Sequence, residues 1–263
     1  MVDPSAFPAA CSRCNNLSRA GARYCAHCGS ALSASAPPAA LPVPRQPEAG
    51  SSTPQPRSWS DFKQLLALYL SLLLFSLIFG WISRVSQDPQ WDLIMTSASG
   101  MVVLLFCAVR YRDISPFLGL RLNLRIATEV LGASLLLALV LDGYFAVLEN
   151  MGVPILKYSD DFMAHGWPIW SVYALISLAP ALFEELAFRG VLQEGLSKLL
   201  SEREGWIVQG ILFSVLHMSP IIFPSHLLMG LLFGWVRNRT QSLYPGMLLH
   251  AAWNALVLYR EMP

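Results

Sequence analysis

The stretch LLALYLSLLLFSLIFGW, residues 65–81, decides the fold. It contains no charge, and with its flanks (64–82) it approaches the ~20 mostly apolar residues that a helix needs to cross a bilayer. Working toward the C-terminus, further apolar segments cover 93–109, 126–148, 168–200, 206–218, 221–236 and 243–259. The fourth span carries charges in its later half, which predicts a longer helix that emerges from the membrane. Ser219-Pro220 predicts a hairpin between the fifth and sixth spans, and a re-entrant segment around 153–170 would be an eighth. The expectation is an all-α polytopic membrane bundle of seven or eight helices over 59–263. Composition agrees: 13% of residues are charged, about half the ~25% of soluble domains. A net charge of +1 gives no global attraction to nucleic acid, which is not expected as a partner.

Working toward the N-terminus, the chain changes character. Residues 31–58 are rich in Ala, Pro and Ser and predict a flexible to extended linker. Residues 1–30 hold four of the five cysteines, as Cys11-x2-Cys14 and Cys25-x2-Cys28. Each pair can present two thiolates from one tight turn, and two such turns give a closed tetrahedral site for structural zinc. Gly29 suits the turn after the second pair. The fragment resembles short zinc-ribbon modules found at the ends of bacterial membrane proteins, with Tyr24 at their usual aromatic position. Disulfides would need an oxidising compartment. His27 is not needed as a ligand beside four sulfurs, and a protein contact is the expected use of the module. Cys107, in an apolar run, reads as a small buried or lipid-facing residue. No positive region followed by an apolar core opens the chain, so no cleavable signal peptide is expected.

The basic residues predict orientation. With a cytoplasmic N-terminus, only Arg84, Lys157 and Arg260 of the 18 Lys and Arg residues fall outside. The expected location is therefore a multi-pass position in a plasma membrane, with the zinc module in the cytoplasm. The Cys-rich start and Pro-rich linker suggest a bacterial one.

Ionisable residues at membrane depth are costly and mark function by default. They gather in the C-terminal half: Glu184, Glu185 and Arg189 on the fourth span, His217 on the fifth, His226 on the sixth, His250 and Asn254 on the seventh. Glu185 and Arg189 stand four apart and share a helical face, whereas Glu184 points elsewhere. His250 and Asn254 form another such stripe, as do Phe213 and His217. From the residues alone, catalysis, a proton or ion path, and interhelical hydrogen bonding all remain open. Asp142 reads as a helix–helix contact, Asp160 and Asp161 as a solvated loop, and Trp59, Trp81, Trp167 and Trp170 as interfacial anchors.

The ordered set Glu184-Glu185-x3-Arg189, Phe213-x3-His217 and His250-x3-Asn254 resembles the CAAX protease and bacteriocin-processing (CPBP) family. The flanking FEELAFRGVLQ and GLLFGWVRNRTQSLYPGMLLHAAWNAL are similar as well, so the resemblance covers 168–260. It implies an intramembrane endopeptidase acting on a membrane-associated protein or peptide. Glu184 and His217 would activate water, His250 and Asn254 would stabilise the oxyanion, and Glu185 and Arg189 would form a supporting ion pair. A cavity between the fourth, fifth and seventh spans would hold the site. Two histidines and a glutamate could instead bind zinc. The metal-free version is preferred because a metal leaves Asn254 and the ion pair less explained. His226 belongs to none of the three motifs. The competing readings are a non-catalytic scaffold or immunity factor of the same fold, and a small transporter.

Overall fold

The computed structural model describes residues 9–11, 13, 14, 16–18, 22, 24–32, 59–121, 123–154, 157 and 159–261. Most of the linker expected over 31–58 lies outside them. The chain divides into two units, Met1–Gln55 and Pro56–Pro263.

In the first unit, two-residue strands β1 (Ala9–Ala10) and β2 (Leu17–Ser18) pair antiparallel, and Tyr24 bridges to Ala31. Each short ladder brackets one Cys-x2-Cys pair. The Cys11 N–H donates to the Asn16 carbonyl and the Cys25 N–H to the Ser30 carbonyl. Gly29, at φ +72°, lets the second loop close.

The second unit is all-α. Its helices are α1 (Trp59–Ser86), α2 (Gln90–Val109), α3 (Leu124–Asn150), the short α4 (Ser159–Ala164), α5 (Ile169–Leu199), α6 (Glu202–Leu216), α7 (Phe223–Thr240) and α8 (Tyr244–Glu261). One turn, Tyr111–Ile114, followed by a 3-10 turn, Ser115–Phe117, joins α2 to α3. Local chemistry sets several ends. Asn123 Oδ1 accepts from the Ile126 N–H and Ser201 Oγ from the Glu204 N–H, so both residues cap their helices. Met218, at φ +48°, turns the chain between α6 and α7, where Ser219-Pro220 predicts a hairpin.

Four helices, α1, α2, α3 and α5, are long and apolar enough to cross a membrane. Their outer faces carry Leu74, Leu104, Leu105, Leu135, Leu136 and Leu139, all exposed. A run of exposed leucines is what a lipid-facing surface requires and what a soluble protein avoids. The remaining expected spans exist as α6, α7 and α8, of 15, 18 and 18 residues. At 1.5 Å per residue α6 reaches only about 22 Å, against a hydrocarbon core of about 30 Å. Among the described residues of the region expected to hold a re-entrant segment, the six-residue α4 precedes the start of α5 at Ile169.

The core is built around α5, where Phe188, Leu192, Ala187 and Val191 are buried against Leu65, Leu68 and Leu72 of α1, Val103 of α2 and Phe213 of α6. Ion pairs tie helix ends together. Arg110 binds Asp61 at 2.9 Å and Asp113 at 2.8 Å, and Lys198 binds Asp113 at 2.7 Å and Glu194 at 3.2 Å. Arg237 pairs with Glu194, its guanidinium 3.7 Å over the Phe117 ring. Asp142 pairs with Arg260 at 2.6 Å, the helix–helix contact expected of it.

Candidate active site

α5 is irregular where the site is built. Ala174–Leu178 and Glu185–Leu192 are π-helical, with Pro180 between them. π-segments inside α-helices concentrate at functional sites. Glu184 and Glu185 stand at the start of the second segment and point to different surroundings.

Glu185 is enclosed. Its Oε1 accepts from Arg189 Nη1 at 2.8 Å, and both side chains are essentially fully buried (1% and 0% exposed). The Arg189 guanidinium lies 4.4 Å from the Phe213 ring centre and 5.3 Å from that of Phe233, so aromatic faces replace part of its hydration. His250 Nδ1 lies 3.1 Å from the same Glu185 oxygen. α8 comes this close because residue 246 is glycine: a Cβ there would sit 2.8 Å from Glu185 Oε2.

Glu184 is the opposite case. Its side chain is 25% exposed, yet its buried Oε2 has no hydrogen-bond partner among the described residues. Glu185 Oε2 is likewise buried without a hydrogen-bond partner among the described residues. His250 Nε2 lies 3.8 Å from Glu184 Oε2. Beside it is a cavity of about 120 Å³ whose lining includes Ser76, Thr96, Ser99, Phe183, Glu184 and Leu216. The cavity is thus walled by α1, α2 and α5 with the end of α6. The sequence reading expects a cavity between α5, α6 and α8, where Arg189 packs on the Phe213 ring.

His217 ends α6 with Nδ1 2.9 Å from the Phe213 carbonyl. No ion-pair contact joins it to Glu184 among the described residues; the imidazole at Glu184 is that of His250. Its near neighbour is His226, whose ring centre is 4.0 Å away. His226 lies outside the three motifs that single out the other polar residues. The hairpin was the available signal, since a tight turn between α6 and α7 brings positions nine residues apart together. His226 Nδ1 lies 3.0 Å from the Ile222 carbonyl. Carbonyl and carboxylate oxygens only accept, so His217, His226 and His250 carry the proton on Nδ1. Each then presents Nε2 as the free edge.

Asn254 lies one turn beyond His250, and its amide nitrogen donates to the Ile176 carbonyl at 3.2 Å. That amide group is engaged on the first π-segment of α5 rather than aimed at Glu184.

In the first unit, the Sγ atoms of Cys11, Cys14, Cys25 and Cys28 all lie within 4.8 Å of one another. Cys11 to Cys28 is 3.5 Å and Cys14 to Cys25 is 3.6 Å. A disulfide requires about 2.05 Å. A zinc tetrahedron with bonds of about 2.3 Å has sulfur–sulfur edges of about 3.8 Å, which these distances approach. The Ser30 hydroxyl, 3.0 Å from Cys11 Sγ, helps bring that thiol down to about 6. His27 is exposed and outside the cluster.

Residues 166–256 match the family described as Type II CAAX prenyl endopeptidase Rce1-like. The matched segment runs through α5, α6 and α7 into α8 and includes Glu184, Glu185, Arg189, His217, His250 and Asn254. No curated protein and no solved structure matches the chain.

Proposed function

We propose that this chain is a membrane endopeptidase of the CAAX type, hydrolysing a peptide bond in a membrane-associated protein or peptide. The observation that carries the reading is Glu184: an unpartnered carboxylate oxygen beside a cavity large enough for water, with an imidazole edge 3.8 Å away. A bulk-like water occupies about 30 Å³, so the cavity accommodates a nucleophile and part of a backbone.

Glu184 Oε2 orients the water and takes its first proton as the water oxygen attacks the scissile carbonyl carbon. The π electrons of that carbonyl move onto its oxygen, giving the tetrahedral oxyanion. Glu184 then passes that proton to the leaving amine as the carbon–nitrogen bond breaks, and His217, with Nε2 free, takes the remaining proton of the former water as the carbonyl re-forms, leaving a carboxylate. His250 reaches the oxyanion from Nε2 when that nitrogen carries a proton. Glu185, itself paired with Arg189, holds the His250 ring through Nδ1. The four cysteines of the first unit hold a structural zinc, whose role is to fold that unit.

The test is the Glu184→Ala chain reconstituted in lipid nanodiscs, with unfolding temperature confirming its fold. Membrane-anchored peptides with and without a C-terminal prenylated cysteine are incubated with it and the products read by mass spectrometry. The wild-type chain cuts at a defined bond, and the variant loses at least a thousandfold in rate. Equal cleavage by both would sink the assignment. The prenylated and unprenylated arms report the substrate class.

A further inference from the structure

We infer that Ser76, Thr96 and Ser99 form a substrate subsite, whose hydroxyls hold the extended backbone of the peptide beside Glu184. The cavity at Glu184 is lined mostly by apolar side chains; Ser76 of α1, Thr96 and Ser99 of α2, and Glu184 itself are the polar ones among the described residues. Thr96 and Ser99 stand three apart and share a face of α2. All three hydroxyl residues are partly buried, and none makes a hydrogen bond to another described residue. Other hydroxyls of the spanning helices are engaged on the backbone. Ser71 Oγ donates to the Ala67 carbonyl, Ser134 Oγ to the Val130 carbonyl and Ser177 Oγ to the Ala251 carbonyl, each at 2.8 Å. The trio at the cavity keeps its donors and acceptors for something else. A peptide bond offered for hydrolysis lies in an unwound segment, and at membrane depth its N–H and C=O groups need partners that lipid cannot supply. A hydroxyl both donates and accepts, so three of them can answer either group of an extended strand. These residues lie outside the family-matched segment 166–256, on helices that the motifs do not reach. The inference deepens the proposed hydrolysis and rests on it for the nature of the ligand.

The experiment compares Ser76→Ala, Thr96→Val, Ser99→Ala and the triple variant in the full-length protein in liposomes. The probes are the membrane-anchored peptides, with and without a C-terminal prenylated cysteine, each carrying a fluorophore. Binding is read by energy transfer to a label on the protein, in a Glu184→Gln background so that no bond is cut; kcat and KM are read with Glu184 intact. Each single variant is expected to weaken binding by about 3–10-fold, the worth of one hydrogen bond. The triple variant should lose at least about thirtyfold. KM should rise in step, with kcat within about twofold. Because the hydroxyls bond nothing inside the protein, the unfolding temperature should stay level or rise. Unchanged binding in the triple variant overturns the inference, as does an unfolding temperature that falls with it, since that marks the hydroxyls as links between helices. A chain that binds a peptide through the trio yet cuts none fails the hydrolytic reading alone. One that cuts equally well without the trio fails the subsite alone, and one that neither binds nor cuts fails both.

Discussion

Replacing Arg189 with Met tests whether the enclosed half of the site is a coupled ion pair. Arg189 is completely buried, 2.8 Å from Glu185, with its guanidinium against two aromatic rings. Met has similar length and fills most of the space, so the chief loss is charge. Glu185 would keep only the His250 contact at 3.1 Å. Removing one partner of a buried pair costs about 3–5 kcal/mol, because the other charge is left uncompensated. At about 2–4 °C per kcal/mol for a domain of this size, the unfolding temperature falls by roughly 6–20 °C. Adding Glu185→Gln neutralises the orphaned carboxylate while keeping an acceptor for His250 Nδ1. The double variant should recover to within about 1–2 kcal/mol of the wild type, since replacing a whole buried pair is often nearly neutral. Thermal unfolding in a fixed detergent, with the three chains side by side, measures this. An Arg189→Met chain as stable as wild type, or a double variant no better than the single, refutes the reasoning.

Gly246→Ala places a methyl 2.8 Å from Glu185 Oε2, and Glu185 cannot retreat because Arg189 and His250 hold it; a stability loss of about 1–3 kcal/mol is expected, read by the same unfolding assay. The purified chain should hold one zinc per molecule through Cys11, Cys14, Cys25 and Cys28, and Cys25→Ser should abolish it by elemental analysis. Because the metal is held by thiolates, protons compete with it and zinc should be lost progressively as the solution is acidified. Chelation should remove zinc and unfold the first unit, seen as lost chemical-shift dispersion in residues 9–32.

The parts of this architecture legible in the sequence are those carried by local pattern. Hydropathy located α1, α2, α3 and α5 because twenty apolar residues are a property of one segment. The Glu185–Arg189 pair was legible because four residues on a helix fix a shared face. The cysteine cluster was legible because each pair is closed by its own short turn. What could not be read depends on how helices meet. Nothing in the spacing of Ser76, Thr96 and Ser99 announces that α1 and α2 wall the cavity at Glu184. The His250 contact with both glutamates joins residues more than sixty positions apart, and depends on a glycine at 246 that motif reading treats as filler. The Asn254 amide on the Ile176 carbonyl likewise joins residues 78 positions apart.

The geometry also bears on the three readings left open by residue chemistry. Interhelical hydrogen bonding accounts for much of the buried polarity. Gln193 donates to the Gly234 carbonyl at 3.1 Å and to Asn238 at 2.8 Å, Gln209 to the Gly230 carbonyl at 2.8 Å, and Ser177 and Asn254 stitch α5 to α8. Such groups hold helices together and need no substrate to explain them. A conduction path would need polar groups continuing past the acidic pair, but on the far side of Glu185 the guanidinium of Arg189 is packed between the rings of Phe213 and Phe233. Neither account uses Glu184. Both carboxylates keep one buried oxygen unanswered among the described residues, but Glu184 is the one that borders the mostly apolar cavity. A carboxylate left that way costs stability, and the cost makes sense where a water and a peptide carbonyl are the missing partners.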